Sequence, residues 1–170
     1  MSRAAMWKWL TRLAVSGLAV GALFTPAAQA SNGNDETAVA GVRQATAPFH
    51  DLDKAEHAQY SRLLECFDLP GVGGMGQHYA DTTRFDATIE PNRPEALVYE
   101  VDGNRLQLVA VEYIVPWTSW VPSDPPRLFG RDFTSVTSLH IWALHAWIWR
   151  PNPLGMFQNY NPRVKLCPGH

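Results

Sequence analysis

Two apolar segments constrain this chain most. Ala96–Asp102 (ALVYEVD) and Leu106–Pro116 (LQLVAVEYIVP) are rich in Val, Leu and Tyr and flank Asp102-Gly103. An Asp-Gly pair between strand-like runs is a strong hairpin signal, because such turns need residues that tolerate positive φ. The second segment is apolar at nearly every position, which predicts a central strand covered on both faces. A sheet built around it needs further strands and something to cover it. Ser138–Trp149 (SLHIWALHAWIW) offers a strand, at least over His145–Trp149, although periodicity alone does not separate it from a buried helix. Before the hairpin, Leu52, Ala55, Tyr60, Leu63, Leu64 and Phe67 recur at helical spacing behind Asp53 and Glu56. That pattern predicts a helix over Asp53–Cys66. The expected fold is α+β: an N-terminal helix followed by a mainly antiparallel β-sheet, or a small barrel-like sheet.

The first 30 residues read as a signal peptide rather than as part of this fold. Arg3, Lys8 and Arg12 form a basic region, Leu13–Phe24 is a short apolar run, and Ala28-Gln29-Ala30 is a small-x-small cleavage site. Export to the periplasm or beyond is the expectation, with cleavage near Ala30. Removing those three basic residues leaves 11 Lys/Arg against 16 Asp/Glu, a net charge of −5. A mildly acidic chain without Lys/Arg clusters does not suit nucleic acid. No later apolar run reaches the length of about 18 residues that a membrane span needs. Residues 31–45 are small and polar and read as a flexible leader, so a single globular domain is expected over 46–170.

Cys66 and Cys167 are the only cysteines. In an oxidising compartment two lone thiols are expected to form one disulfide, with Cα atoms about 4.4–6.8 Å apart. A thiolate metal site is the weaker reading, because no C-x-x-C pair is present.

The chemistry-bearing residues stand out by their surroundings. Glu112 lies inside the most apolar strand, and a carboxylate there costs several kcal/mol unless paired, hydrogen-bonded or metal-bound. By period-2 alternation it shares a face with Leu106, Leu108, Ala110 and Ile114, all apolar. His78 follows the glycine-rich Gly71-Val72-Gly73-Gly74-Met75-Gly76, and His145 lies in the aromatic segment. His78, Glu112 and His145 together make a ligand set for one divalent transition metal (Zn, Cu, Fe or Mn). Tyr79 or Tyr113 would then orient a ligand by hydrogen bonding. His140, five residues before His145, falls on the opposite face of a strand and is not counted with them. Glu112 paired with Arg127 or Arg131 is the competing structural reading. A metal-free acid/base enzyme using Glu112 and His145 is another. The glycine-rich stretch lacks the Gly-Lys-Ser/Thr ending of a phosphate loop.

Aromatic residues form a second signal. Trp117 and Trp120 sit in a Pro-rich loop, and Trp147 and Trp149 alternate in the aromatic segment. All four are candidates for stacking on a ligand. That opens a third reading, a metal-free, aromatic-lined module for a small molecule or an envelope component; the alternative is that the loop tryptophans merely cover the end of a sheet.

Several stretches together resemble a family of small secreted bacterial proteins of uncharacterised function. They are Gly74-Met75-Gly76-Gln77-His78-Tyr79, Pro94–Glu100, Val111–Pro116, Leu144–Phe157 and Asn161-Pro162-Arg163-Val164. The resemblance spans most of Phe49–Cys167, with Cys167 slightly later than that pattern implies. It implies no activity. It places His78, Glu112 and His145 within its motifs and leaves His140 outside.

Overall fold

The computed structural model describes residues 33–169, so the expected signal peptide over 1–30 lies outside the described residues. Two helices come first, α1 (Gly33–Thr46) and α2 (Leu52–His57). Eight strands follow: β1 (Ser61–Leu69), β2 (Gly73–Ala80), β3 (Ala96–Asp102), β4 (Arg105–Pro116), β5 (Arg127–Leu128), β6 (Arg131–Asp132), β7 (Thr134–Val136) and β8 (Ile141–Ala146). Six form one antiparallel sheet in the order β1-β2-β3-β4-β8-β7, and β5 pairs only with β6. The large sheet curls into a half-barrel, so the fold is α+β.

The hairpin forms where the Asp-Gly turn predicts it, with Asp102 opposite Arg105 and Gly103 at φ 58°. Strand β4 is central, between β3 and β8. A bulge interrupts the β3–β4 ladder: Val98 faces Ala110 but Tyr99 faces Leu108, leaving Val109 over. An extra residue reverses the alternation beyond it. Leu106 and Leu108 therefore join Val111, Tyr113 and Val115 in the main core, while Ala110 and Ile114 belong to separate clusters on Glu112's side. Strict alternation had placed all four on one face.

The main core lies between the sheet and α1. Val39 and Val42 pack with Leu97, Tyr99, Val111, Tyr113 and Leu144, all buried. The segment read as a flexible leader is thus largely this helix. Its apolar stripe is only Ala38, Val39 and Val42, too sparse to register in a polar stretch, but acidic Asp35 and Glu36 begin it and Arg43 ends it, as the helix dipole favours. Arg43 Nε donates to the Ile148 carbonyl (2.9 Å). The α-helix stops at Thr46 and tightens into a 3-10 turn over Ala47–His50, where Pro48 has no amide to continue the α-helical bonding.

The expected helix over Asp53–Cys66 is replaced by a short helix and a strand. Helix α2 is capped by Asp51, whose side chain accepts from the Asp53 amide, and it ends before Gln59 at φ 74°. Beyond it, Leu63, Leu64 and Phe67 lie on edge strand β1, where the register slips between Leu63 and Phe67 and Leu64 sits at φ 57°. A bulged edge strand spaced its apolar residues as a helix would.

Strand β8 ends at Ala146, so the expected strand over His145–Trp149 is displaced towards the N-terminus. After Ala146 the chain bends, and the amides of Trp149 and Arg150 donate to the carbonyl of bulged Val109. The disulfide is present: Cys66 and Cys167 bond with Cα atoms 5.8 Å apart. It joins β1, not a helix end, to the C-terminal segment.

Candidate metal centre

Three central strands each supply one polar side chain to one place. Glu112 on β4 lies directly opposite His145 on β8. His78 on β2 lies opposite Val98 on β3, which lies opposite Ala110 on β4. Alternation turns all three side chains to the sheet face away from α1. His78 Nε2 is 3.3 Å from Glu112 Oε2, His145 Nε2 is 3.5 Å from Oε1, and the two Nε2 atoms are 3.4 Å apart. All three residues are buried. With one ligand atom taken from each residue, the three lie within 4.8 Å of one another, close enough to hold a single ion. Among the described residues this is the group of His, Cys, Asp or Glu donors close enough to hold an ion.

The electrostatics follow from burial. Desolvation raises the Glu112 carboxyl to about 8, with Glu95 adding to the effect. Desolvation lowers His78 to about 4, opposed in part by the Gly76 carbonyl. It lowers His145 to about 3, with His78 contributing. At neutral pH both imidazoles are therefore uncharged, as metal ligands must be, and the carboxyl retains the proton that an ion would displace. The expected arginine partners are elsewhere: Arg127 pairs with Asp132 (3.2 Å), and the Arg131 guanidinium lies over Phe157.

The imidazoles are held by packing. The Phe67 ring meets His78 edge-on at 5.7 Å, and Trp147 stacks on His145 at 6.0 Å. His145 Nδ1 is buried without a hydrogen-bond partner. Tyr79 and Tyr113 lie on the α1 side, Tyr79 against Tyr99 and Tyr113 donating to the Pro91 carbonyl, so neither orients the triad.

A cleft of about 280 Å³ opens above the three residues. Its walls come from both edges of the sheet: Leu63, Leu64 and Phe67 from β1, and Val136, Leu139 and Ile141 from the β7–β8 hairpin. Leu64 and Leu139 are 50% and 45% exposed at its rim, in contrast to the buried floor.

The tryptophans do not line this cleft. Trp117 packs on His140 and Trp142, and Trp120 rests on the main core while donating to the Asp124 carbonyl. Trp147 is buried behind His145 and donates to the Gln158 carbonyl. Trp149 lies on the α1 side, donating to Thr46 Oγ1 and meeting the His50 ring at 4.4 Å. Exposed His140 sits at φ 54° in the β7–β8 turn, apart from the triad. Of the glycines before His78, Gly71 lies in the β1–β2 turn at φ 85°, while Gly73, Gly74 and Gly76 belong to β2.

Two buried polar residues beside the site were not singled out from sequence. Gln77, next to His78, donates from Nε2 to the carbonyls of Leu63, Leu64 and His78, which holds the β1 bulge against β2. Glu95 accepts from the Ile114 amide and lies 3.6 Å from Arg84, which fixes β4 two residues beyond Glu112. Only a polar residue at a strand's start or interior could have flagged them, and neither has a spacing partner. No family model matches the chain, and comparison with curated proteins and with solved structures finds no match.

Proposed function

We propose that this is an exported protein that binds one divalent transition metal through His78 Nε2, the Glu112 carboxylate and His145 Nε2. The observation that carries the proposal is the set of three donor separations of 3.3–3.5 Å among buried side chains from three different strands. Two imidazoles and one carboxylate form a donor set that zinc takes readily, which makes zinc the ion to test first among zinc, copper, iron and manganese. Three protein donors beneath a cleft leave the fourth position to an external ligand, the pattern of catalytic and ligand-binding zinc rather than of closed structural zinc. The Cys66–Cys167 bond, the sequence of residues 1–30 and the resemblance to small secreted bacterial proteins support export. No helix among the described residues is long and apolar enough to cross a membrane.

The test is metal content and calorimetry on protein purified with its disulfide intact. One zinc per chain is expected. In His78→Ala, Glu112→Gln and His145→Ala, affinity should fall at least 100-fold while circular dichroism is unchanged. Folded wild type that takes up no zinc, copper, iron or manganese would refute the proposal. The buried carboxyl beside two neutral imidazoles would then be read as an acid/base group.

A further inference from the structure

Resting on the metal reading, we infer that the cleft takes a small amphiphile: an oxygen-donor head that completes the metal's coordination, and a short apolar tail lying between Leu64 and Leu139. The floor of the cleft is His78, Glu112 and His145, and most of its wall is aliphatic or aromatic. Its volume of about 280 Å³ is at the small end of ligand sites, which run from about 300 Å³. A head group alone would leave the walls without an occupant, and a large ligand would not fit.

The rim supports this independently. Leu64 and Leu139 come from opposite edges of the sheet, yet both line one cleft and both remain about half exposed. Single exposed leucines are ordinary; two facing one another above a polar floor form a defined apolar mouth. One of the two is itself held at unusual backbone. Leu64 itself is at φ 57°, and His140, adjoining Leu139, is at φ 54°. Histidine enters this region with some ease, but leucine rarely does so without strain, and such strain collects at binding sites. Gln77 fixes the Leu64 conformation by donating to its carbonyl (3.1 Å). A purely structural bulge would be served by glycine or asparagine at that position.

The probes are straight-chain alkyl hydroxamates of two, four, six and eight carbons, titrated by calorimetry into zinc-loaded protein. The head group binds zinc in every case, so only the tail varies. Affinity should rise about two- to fourfold per added methylene until the cleft is filled. Leu64→Asn, which suits the positive φ, combined with Leu139→Ser should flatten the series while leaving the two-carbon affinity unchanged. Affinity independent of chain length on protein that carries zinc would overturn the inference and leave the metal site standing. A rise with chain length that survives in the double variant would overturn the assignment to this mouth. Absence of zinc uptake would overturn both.

Discussion

The two faces of the sheet are made by the same strands and follow opposite rules. On the α1 side, β3, β4 and β8 present Leu97, Tyr99, Val111, Tyr113, Val115 and Leu144. On the other side, neighbouring positions of the same strands present Ala96, Ala110, Glu112, Ala143 and His145. Large apolar side chains on one face give close packing and stability. On the other, Ala96, Ala110 and Ala143 leave room around three ionisable groups, while Val98 and Ile114 are buried among them. Period-2 alternation lets one strand serve both ends, so the site costs the main core little.

The contrast can be broken in four ways. The largest effect concerns the wall of the site face, which is tied covalently. Cys66→Ser with Cys167→Ser opens a loop with a sequence separation of 101. In the chain-entropy model this should cost about 4.7 kcal/mol in urea unfolding. A much smaller loss would mean that packing, not the bond, holds β1. Next, Leu97→Ala on the α1 side should cost about 2–5 kcal/mol and leave zinc affinity within about twofold. If zinc binding falls in parallel with stability, the faces are not independent.

Third, zinc at 100 times its Kd should stabilise the wild type by about 2.7 kcal/mol, and Glu112→Gln should remove that gain. The amide replaces a protonated carboxyl of the same shape but cannot ionise in the unfolded chain, so metal-free stability should barely change below pH 4.5 and should exceed the wild type's at pH 7. The fourth way is pH dependence. The raised Glu112 contributes stability that is present below about 4.5 and lost as pH climbs through about 8. The lowered histidines contribute stability that is present above about 6.5 and lost as pH falls through about 4 and 3. Metal-free protein should therefore weaken in both directions, and Glu112→Gln should remove only the alkaline decline. Zinc uptake at pH 7 should release about one proton per ion, measured by calorimetry in two buffers of different ionisation enthalpy. Release of none would show that Glu112 is already ionised.

The same contrast explains what could be read in advance. Glu112 and His145 were legible because each is polar in an apolar segment, a conflict visible in one dimension, and His78 because it follows a glycine-rich stretch. The hairpin was legible because Asp102-Gly103 is local chemistry. Helix α1 was not, since two buried valines in a polar stretch acquire meaning only when a sheet is there to receive them. Strand β1 misled because its bulge shifted Leu63, Leu64 and Phe67 into helical spacing. The bulge at Val109 was equally hidden, and it moved Leu106 and Leu108 to the α1 side. Bulges arise from pairing between strands, which no single segment records. The tryptophans were conspicuous by type, but their roles depend on which face they reach.

The C-terminal segment crosses β2 where Gly74 donates to the Val164 carbonyl and accepts from the Asn161 amide. A Cβ at Gly73 would lie 2.5 Å from Asn161 backbone atoms, one at Gly74 2.3 Å from the Lys165 carbonyl, and one at Gly76 2.6 Å from the Tyr99 carbonyl. Those glycines are demanded by clearance, and His78 two residues later by chemistry. A stretch that reads as one signature is thus two adjoining requirements with separate origins. A chain that did not bind metal would still have to keep Gly73 and Gly74 for the crossing and Gly76 for the approach to β3, while His78 would be free to drift. A chain that dropped the crossing would release Gly73 and Gly74 and could still keep the imidazole.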